Sequence, residues 1–386
     1  MIQQMTHWVR YTLASASVVM VGVTASWSQS LTWLGTLGGD ESEAYSVSLN
    51  GTVVGRAMNA DGYWRAFRWT PSDGMQDLGT LGGHESGAFG ISDDGSVIVG
   101  NATLPDGRGR AFRWTQTTRG MINLGTLPGS PSSEAWDVSE DGSVIVGGSS
   151  HAFRWTSTGM QDLGTLGGDV STAYSVSGND SIVVGGSWKN ASQYHAFRWD
   201  QAGGMRDLGT LGGSWSGAYA ISADGSVIVG WAHDATDLAR AVRWTAAGGI
   251  QDLGAPRVAG SVAYSVSADG AIIVGYFSVP QGGRAFRWTL AGGMEDLNIV
   301  YAALLSTGSS LDLARAVSSD GRYIAGIGYN AATGRTEGFL LDTVPEPASS
   351  LVLLAGLTYL LRFRRCKGIR FGHGCRPLPN RCGRHS

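Results

Sequence analysis

Aromatic and acidic side chains recur at the variable joints of an otherwise repetitive chain. Trp64, Trp188, Tyr194, Trp231, His233 and Tyr276 fall in one set of segments, and His84, Glu85 and Trp215 in another. Such side chains suit carbohydrate: the C–H faces of a sugar ring stack on aromatic faces while its hydroxyls bond to carboxylates. Variable loops on a fixed scaffold are also where recognition is usually placed. A second constellation repeats at fixed spacing. Arg68, Arg154, Arg198, Arg243 and Arg287 are followed eight or nine positions later by Asp77, Asp162, Asp207, Asp252 and Asp296, across a glycine-containing turn. A loop from Pro71 to Gly74 would set Arg68 directly opposite Asp77, and opposed charges across strands stabilise a sheet modestly. These pairs read as architecture, not chemistry.

No nucleophile elbow, phosphate loop, His-Glu-x-x-His or calcium-loop spacing occurs. The expectation is therefore a non-catalytic protein without cofactor or metal, whose rim binds glycan or another protein. A secreted glycosidase or lyase is the alternative, since paired carboxylates can come from loops distant in sequence. Cys366, Cys375 and Cys382 lie near His373 and His385, but no C-x-x-C pair marks a zinc site.

The elements that must hold these residues come from a unit of about 44 residues, repeated seven times between Leu31 and Asp342. Its landmarks are A-F-R-W, as at Ala66; L-G-T-L-G-G, as at Leu78; A-Y-S-V-S, as at Ala44; and V-I-V-G, as at Val97 to Gly100. Each reads as a short strand, because β-branched and aromatic residues fill runs that Gly, Asp and Asn interrupt. Asp-Gly between the last two marks a tight hairpin; the fourth copy has Asn179-Asp180 there and keeps the turn, since both residues tolerate the left-handed region. Strands apolar on both faces need cover on both sides, which radial stacking of sheets supplies. The reading is all-β: a seven-bladed β-propeller of four-stranded blades and no helix, with a triangular solenoid as the runner-up. Leu31 to Gly39 resembles the last strand of a blade and Phe339-Leu340-Leu341 the third, so the N-terminal strand is expected to complete the final blade.

Residues 1–25 have the form of a signal peptide, with Arg10, an apolar stretch and small residues at Val23-Thr24-Ala25. At the other end, Pro345-Glu346-Pro347 precedes an apolar run from Leu351 to Leu361 and then Arg362, Arg364 and Arg365. The order of these features in residues 344–365 resembles the PEP-CTERM sorting signal of Gram-negative bacteria. That resemblance implies processing by an exosortase after a transient inner-membrane stage, with the apolar run as membrane helix. The repeats resemble the extracellular HAF-repeat family, on His151-Ala152-Phe153 and His195-Ala196-Phe197, which implies export but no reaction or catalytic residue. The expected partners are thus signal peptidase, exosortase and a glycan or protein ligand, at the cell surface or in the medium.

Beyond Arg365 a basic tail, residues 366–386, is expected to lack order. Arg10 and the eight Lys or Arg from Arg362 onward leave 19 basic against 31 acidic residues in the rest, a net of −12. A domain so charged is a poor nucleic-acid binder.

Overall fold

Among the described residues, runs of Val, Ile and aromatic residues punctuated by Gly and Asp fold as 28 short strands. The computed structural model describes residues 29–255 and 260–344. The expected signal peptide, Pro345, Glu346, Pro347, Arg362, Arg364, Arg365, the expected membrane helix and the tail with Cys366, Cys375 and Cys382 lie outside the described residues. Among the described residues no helix is long and apolar enough to cross a membrane.

The strands make five four-stranded antiparallel sheets and one eight-stranded path, which is two four-stranded meanders joined by a single bridge, Tyr194 to Trp215. Six meanders are built from consecutive strands, as in Gly38–Val47, Val53–Asn59, Trp64–Thr70 and Gly74–Asp77. The remaining one takes its outer strand from the far end of the chain. Ser30–Trp33 pairs antiparallel with Arg335–Asp342, Ser30 facing Asp342 and Trp33 facing Phe339. The expected use of the N-terminal strand to complete the last sheet is what the pairing shows.

Antiparallel meanders, not stacked rungs, exclude the solenoid. Three other expectations need correction. L-G-T-L-G-G is not the fourth strand: it is loop at Leu78 and Leu163, its last two glycines open the next strand at Gly38 and Gly212, and the fourth strand is the Gly-Met-Gln-Asp run just before it. Asp77 Oδ1 accepts from Gly79 N at 2.7 Å, which turns the chain out of the sheet. The expectation of no helix fails at Leu297–Val300, a short helix capped by Asp296, whose Oδ1 accepts from Asn298 N at 2.8 Å.

The third correction concerns the charged pairs. Thr70 faces Gly74, so the loop between them has three residues, with Gly74 at a φ of 65° in the left-handed region. This is the three-residue hairpin with a glycine bulge, and it shifts the register by one. Arg68 therefore faces Gln76, while Asp77 faces Phe67. The same offset sets Arg154 against Gln161, Arg198 against Arg206, Arg243 against Gln251 and Arg287 against Glu295. Asp77, Asp162, Asp207 and Asp252 instead bond the residue just before Ala-Phe or Ala-Val: Arg65, His151, His195 and Arg240, at 3.2, 2.9, 2.8 and 3.0 Å.

Two kinds of serine secure the repeats. Ser92 Oγ donates to Asp94 Oδ1 (2.6 Å) and accepts from Val97 N (3.0 Å), locking the hairpin after the first strand. Asn179 replaces the Asp in the fourth copy and accepts from Ser177 Oγ at 2.7 Å, with Asp180 at a φ of 60°. The second serine joins neighbouring sheets. Ser86 Oγ accepts from Ala66 N (2.9 Å) and donates to Gly79 O (2.6 Å), and Ser133, Ser171 and Ser216 repeat both bonds. Ser42 makes them across the closure, with Gly338 N and Gly35 O.

Apolar clusters fill the spaces between adjacent sheets. One joins Val47, Val53 and Phe67 of the first to Ala316, Ala325 and Leu340 of the last. The third-strand phenylalanines Phe67, Phe112, Phe153, Phe197, Phe286 and Phe339 are fully buried.

Candidate functional site: an aromatic channel and its mouth

Each first strand contains a β-bulge, always opposite the glycine of the V-I-V-G run. In the fourth copy Ala173 faces Gly185 and Ser175 faces Val184, leaving Tyr174 as the extra residue. The other extra residues are Tyr45, Phe89, Trp136, Tyr219, Tyr264 and Arg315. A bulge re-aims the side chain of its extra residue. Here all seven are brought together around one cavity of about 420 Å³.

They touch in sequence and the circuit closes. Ring centroids are 5.2 Å apart for Tyr45 and Phe89, 4.6 Å for Phe89 and Trp136, 5.7 Å for Trp136 and Tyr174, 5.1 Å for Tyr174 and Tyr219, and 5.2 Å for Tyr219 and Tyr264. The Arg315 guanidinium completes the circle, 4.5 Å from the Tyr264 centroid and 5.0 Å from that of Tyr45, within cation–π range.

Polar groups stand among the rings. Glu43 accepts from the Tyr45 hydroxyl (2.6 Å) and from Arg56 Nε (2.7 Å). Burial acts to raise the Glu43 pKa, but these bonds outweigh it and hold the carboxyl low. Burial, reinforced by the bond to Glu43, pushes the Tyr45 hydroxyl up to about 12. Asp137 lines the cavity and accepts from Val138 N (2.8 Å), Ser175 Oγ (2.8 Å) and Val176 N (3.1 Å). Enclosure by the channel walls nonetheless pushes its carboxyl up to about 6. Beyond it lies a smaller cavity of about 120 Å³ lined by Asp93, Asp137 and Glu140.

Five residues expected at the rim form one cluster beside this ring. Trp188 lies 5.5 Å from Tyr194 and 5.3 Å from Trp215; Trp215 stacks on His233 at 6.4 Å; and His233 is 5.2 Å from Trp231. Trp215 is 38% exposed. The cluster adjoins the channel ring, with Tyr194 beside Tyr174 and Trp231 beside Tyr219. Desolvation by burial raises the pKa of both Tyr194 and Tyr219.

The other expected residues are dispersed. Tyr276 stacks on Tyr264 at 6.1 Å, Arg56 lies 4.4 Å over Trp64, and His84 stacks on Tyr63 at 4.9 Å. Glu85 is exposed, its backbone N held by Thr103 Oγ1 at 3.0 Å. Trp64, Trp188, Tyr194, Trp231 and Tyr276 sit on strands, not at loop tips as expected, because the second and third strands run past their motifs. The aromatic surface is thus held by sheet hydrogen bonds.

The channel ring itself was not among the expected site residues. Its signal is the second position of A-Y-S-V-S, aromatic in six copies and Arg315 in the seventh.

No protein-family model and no curated protein matches the chain. Solved structures do. The β-propeller domain of the Trilobed protease from Pyrococcus furiosus, described as having an open velcro topology, is similar with a TM-score of 0.52 at 12% identity, covering 78% of this chain and 96% of that one. Oligogalacturonate lyase from Vibrio parahaemolyticus gives 0.53 at 10% identity, covering 82% and 94%. TolB from Acinetobacter baumannii gives 0.48 at 14% identity; 64% of this chain aligns, spanning 63% of that protein's length. The likeness to the first two concerns the fold: four-stranded antiparallel sheets arranged on a β-propeller scaffold.

Proposed function

We propose that the chain is an exported, non-catalytic surface or matrix protein, a seven-bladed β-propeller whose aromatic mouth binds a glycan or another protein. The cluster of Trp188, Tyr194, Trp215, Trp231 and His233 carries this reading, because it continues from the channel ring to solvent. Exposed apolar patches mark interaction sites when they are contiguous. The seven-residue circuit supports the blade number, and the pairing of Ser30–Trp33 with Arg335–Asp342 supports closure by the N-terminal strand. Export follows from the signal peptide, and sorting from Pro345, Glu346, Pro347 and the arginines Arg362, Arg364 and Arg365. The protein then reaches the surface or surroundings of a Gram-negative cell through an exosortase-processed, inner-membrane-anchored intermediate.

A glycan array probed with the purified full chain tests the binding. Saturable binding to at least one glycan class is expected. Trp188→Ala and Trp231→Ala each weaken it by about 10-fold, the worth of one stacked aromatic. Absence of any saturable hit, or hits indifferent to both substitutions, contradicts the glycan reading. One observation favours an enzyme instead: the Asp137 carboxyl, raised to about 6, is poised for proton transfer inside the cavity. That alternative requires polysaccharide cleavage lost in Asp137→Asn.

A further inference from the structure

Six bulges place an aromatic ring on the channel wall and the seventh places Arg315. Seven aromatic walls would form a cage for a cation, whereas a guanidinium in the seventh position repels one. Among the described residues Arg315 makes no ion pair within 4.0 Å, and its Nε is buried with no hydrogen-bond partner. Glu43, the acid whose charge Arg315 feels, is already bonded to Arg56 and the Tyr45 hydroxyl. The faces of Tyr45 and Tyr264 hold the guanidinium on both sides, so its planar fork is oriented without being used. A buried donor left unbonded costs free energy that an anionic ligand would recover.

The remaining wall narrows the class. Aromatic faces at Phe89, Trp136 and Tyr219 suit the C–H face of a sugar ring. Asp137, with both oxygens bonded, still has lone pairs that accept from hydroxyls, and Ser46, Ser175 and Ser265 line the same cavity. A cavity of about 420 Å³ falls in the usual size range of small-molecule sites.

Resting on the glycan reading of the mouth, we propose that the channel takes the carboxylate-bearing sugar of an acidic glycan. Arg315 binds the carboxylate, the Tyr45 and Tyr264 rings flank it, and the outer cluster of Trp188, Trp215 and Trp231 holds the adjoining units. Arg315 is the specificity-determining residue, and the tryptophans supply affinity that does not discriminate charge.

Calorimetric titration of the full chain tests this, with galacturonate and glucuronate tetrasaccharides, their neutral galactose and glucose counterparts, and acetate. At least one uronate is expected to bind about 10-fold more tightly than its neutral counterpart, the worth of one charge-assisted pair. Arg315→Gln reduces that preference to within about 2-fold, and Arg315→Lys retains part of it, at unchanged melting temperature. Trp215→Ala weakens acidic and neutral sugars alike. Equal binding of acidic and neutral sugars, still sensitive to Trp215→Ala, overturns the charge assignment and leaves the glycan reading standing. No binding of any saccharide removes both. Preference surviving Arg315→Gln, or acetate binding as tightly as the uronate, overturns the proposal.

Discussion

Gly185→Ala unfolds this protein or lowers its stability by about 3–5 kcal/mol, the range that marks a broken backbone packing. A Cβ at Gly185 would lie 2.0 Å from Thr172 O, 2.8 Å from the Phe197 ring and 2.9 Å from Ala173 Cα. None can yield: the carbonyl belongs to the paired strand just before the bulge, and Phe197 is fully buried. The same approach, 1.9 to 2.0 Å from a first-strand carbonyl, recurs at Gly55, Gly100, Gly147, Gly230, Gly275 and Gly326. The bulge that aims Tyr174 at the channel thus depends on a missing side chain on the neighbouring strand. Gly260, whose nearest neighbour would be 3.7 Å away, serves as control and changes stability by about 0.5 kcal/mol or less. Chemical denaturation of both variants gives the comparison, and equal midpoints for Gly185→Ala and the unaltered chain contradict the packing argument.

The second large effect is a pH dependence from Asp137. Its folded pKa of about 6 lies above the ordinary value of 3.8, so the folded state holds the proton more tightly than the unfolded chain. Stability from this group is therefore complete below about pH 4 and is lost as pH rises through 6; two units correspond to about 3 kcal/mol. Asp93 and Glu140, raised by burial in the adjoining cavity, act in the same direction. Asp94, Asp141, Asp224 and Asp269, lowered by hydrogen bonds in the hairpin turns, act oppositely, losing stability as pH falls. The whole curve mixes both, so the test is a difference. Stability of Asp137→Asn minus that of the unaltered chain should rise by about 3 kcal/mol between about pH 4 and pH 7, whatever constant offset the amide introduces. Parallel curves contradict the raised pKa.

Much of this arrangement was legible in the sequence because the repeat exposes it seven times. The hairpin at Asn179-Asp180 and the use of the N-terminal strand to finish the last sheet both followed from the order of motifs. The bulge did not. Tyr174 between Ala173 and Ser175 looks like one more residue in an alternating strand, and only the Ala173 to Gly185 register reveals it as the extra one. The offset of Arg68 from Asp77 was lost for a similar reason: whether Gly74 belongs to the loop or to the strand decides the register, and its φ of 65° in the three-residue turn settles that. The rim cluster was half visible. Trp188, Tyr194, Trp215, Trp231 and His233 stood out by type, but their meeting depends on how two neighbouring meanders pack, which local pattern does not encode.

Seven bulges face one channel only if the two ends of the repeat array meet in one sheet. Ser30 and Asp342 are direct cross-strand partners 312 positions apart, close enough for a disulfide between opposed strands. The measurement is mass spectrometry of Ser30→Cys/Asp342→Cys after mild oxidation, with Cys366, Cys375 and Cys382 changed to Ser. An intramolecular peptide pair joining positions 30 and 342 in most molecules is the expected result. Two thiols that stay free, or that link only between separate molecules, would contradict the closure and with it the channel.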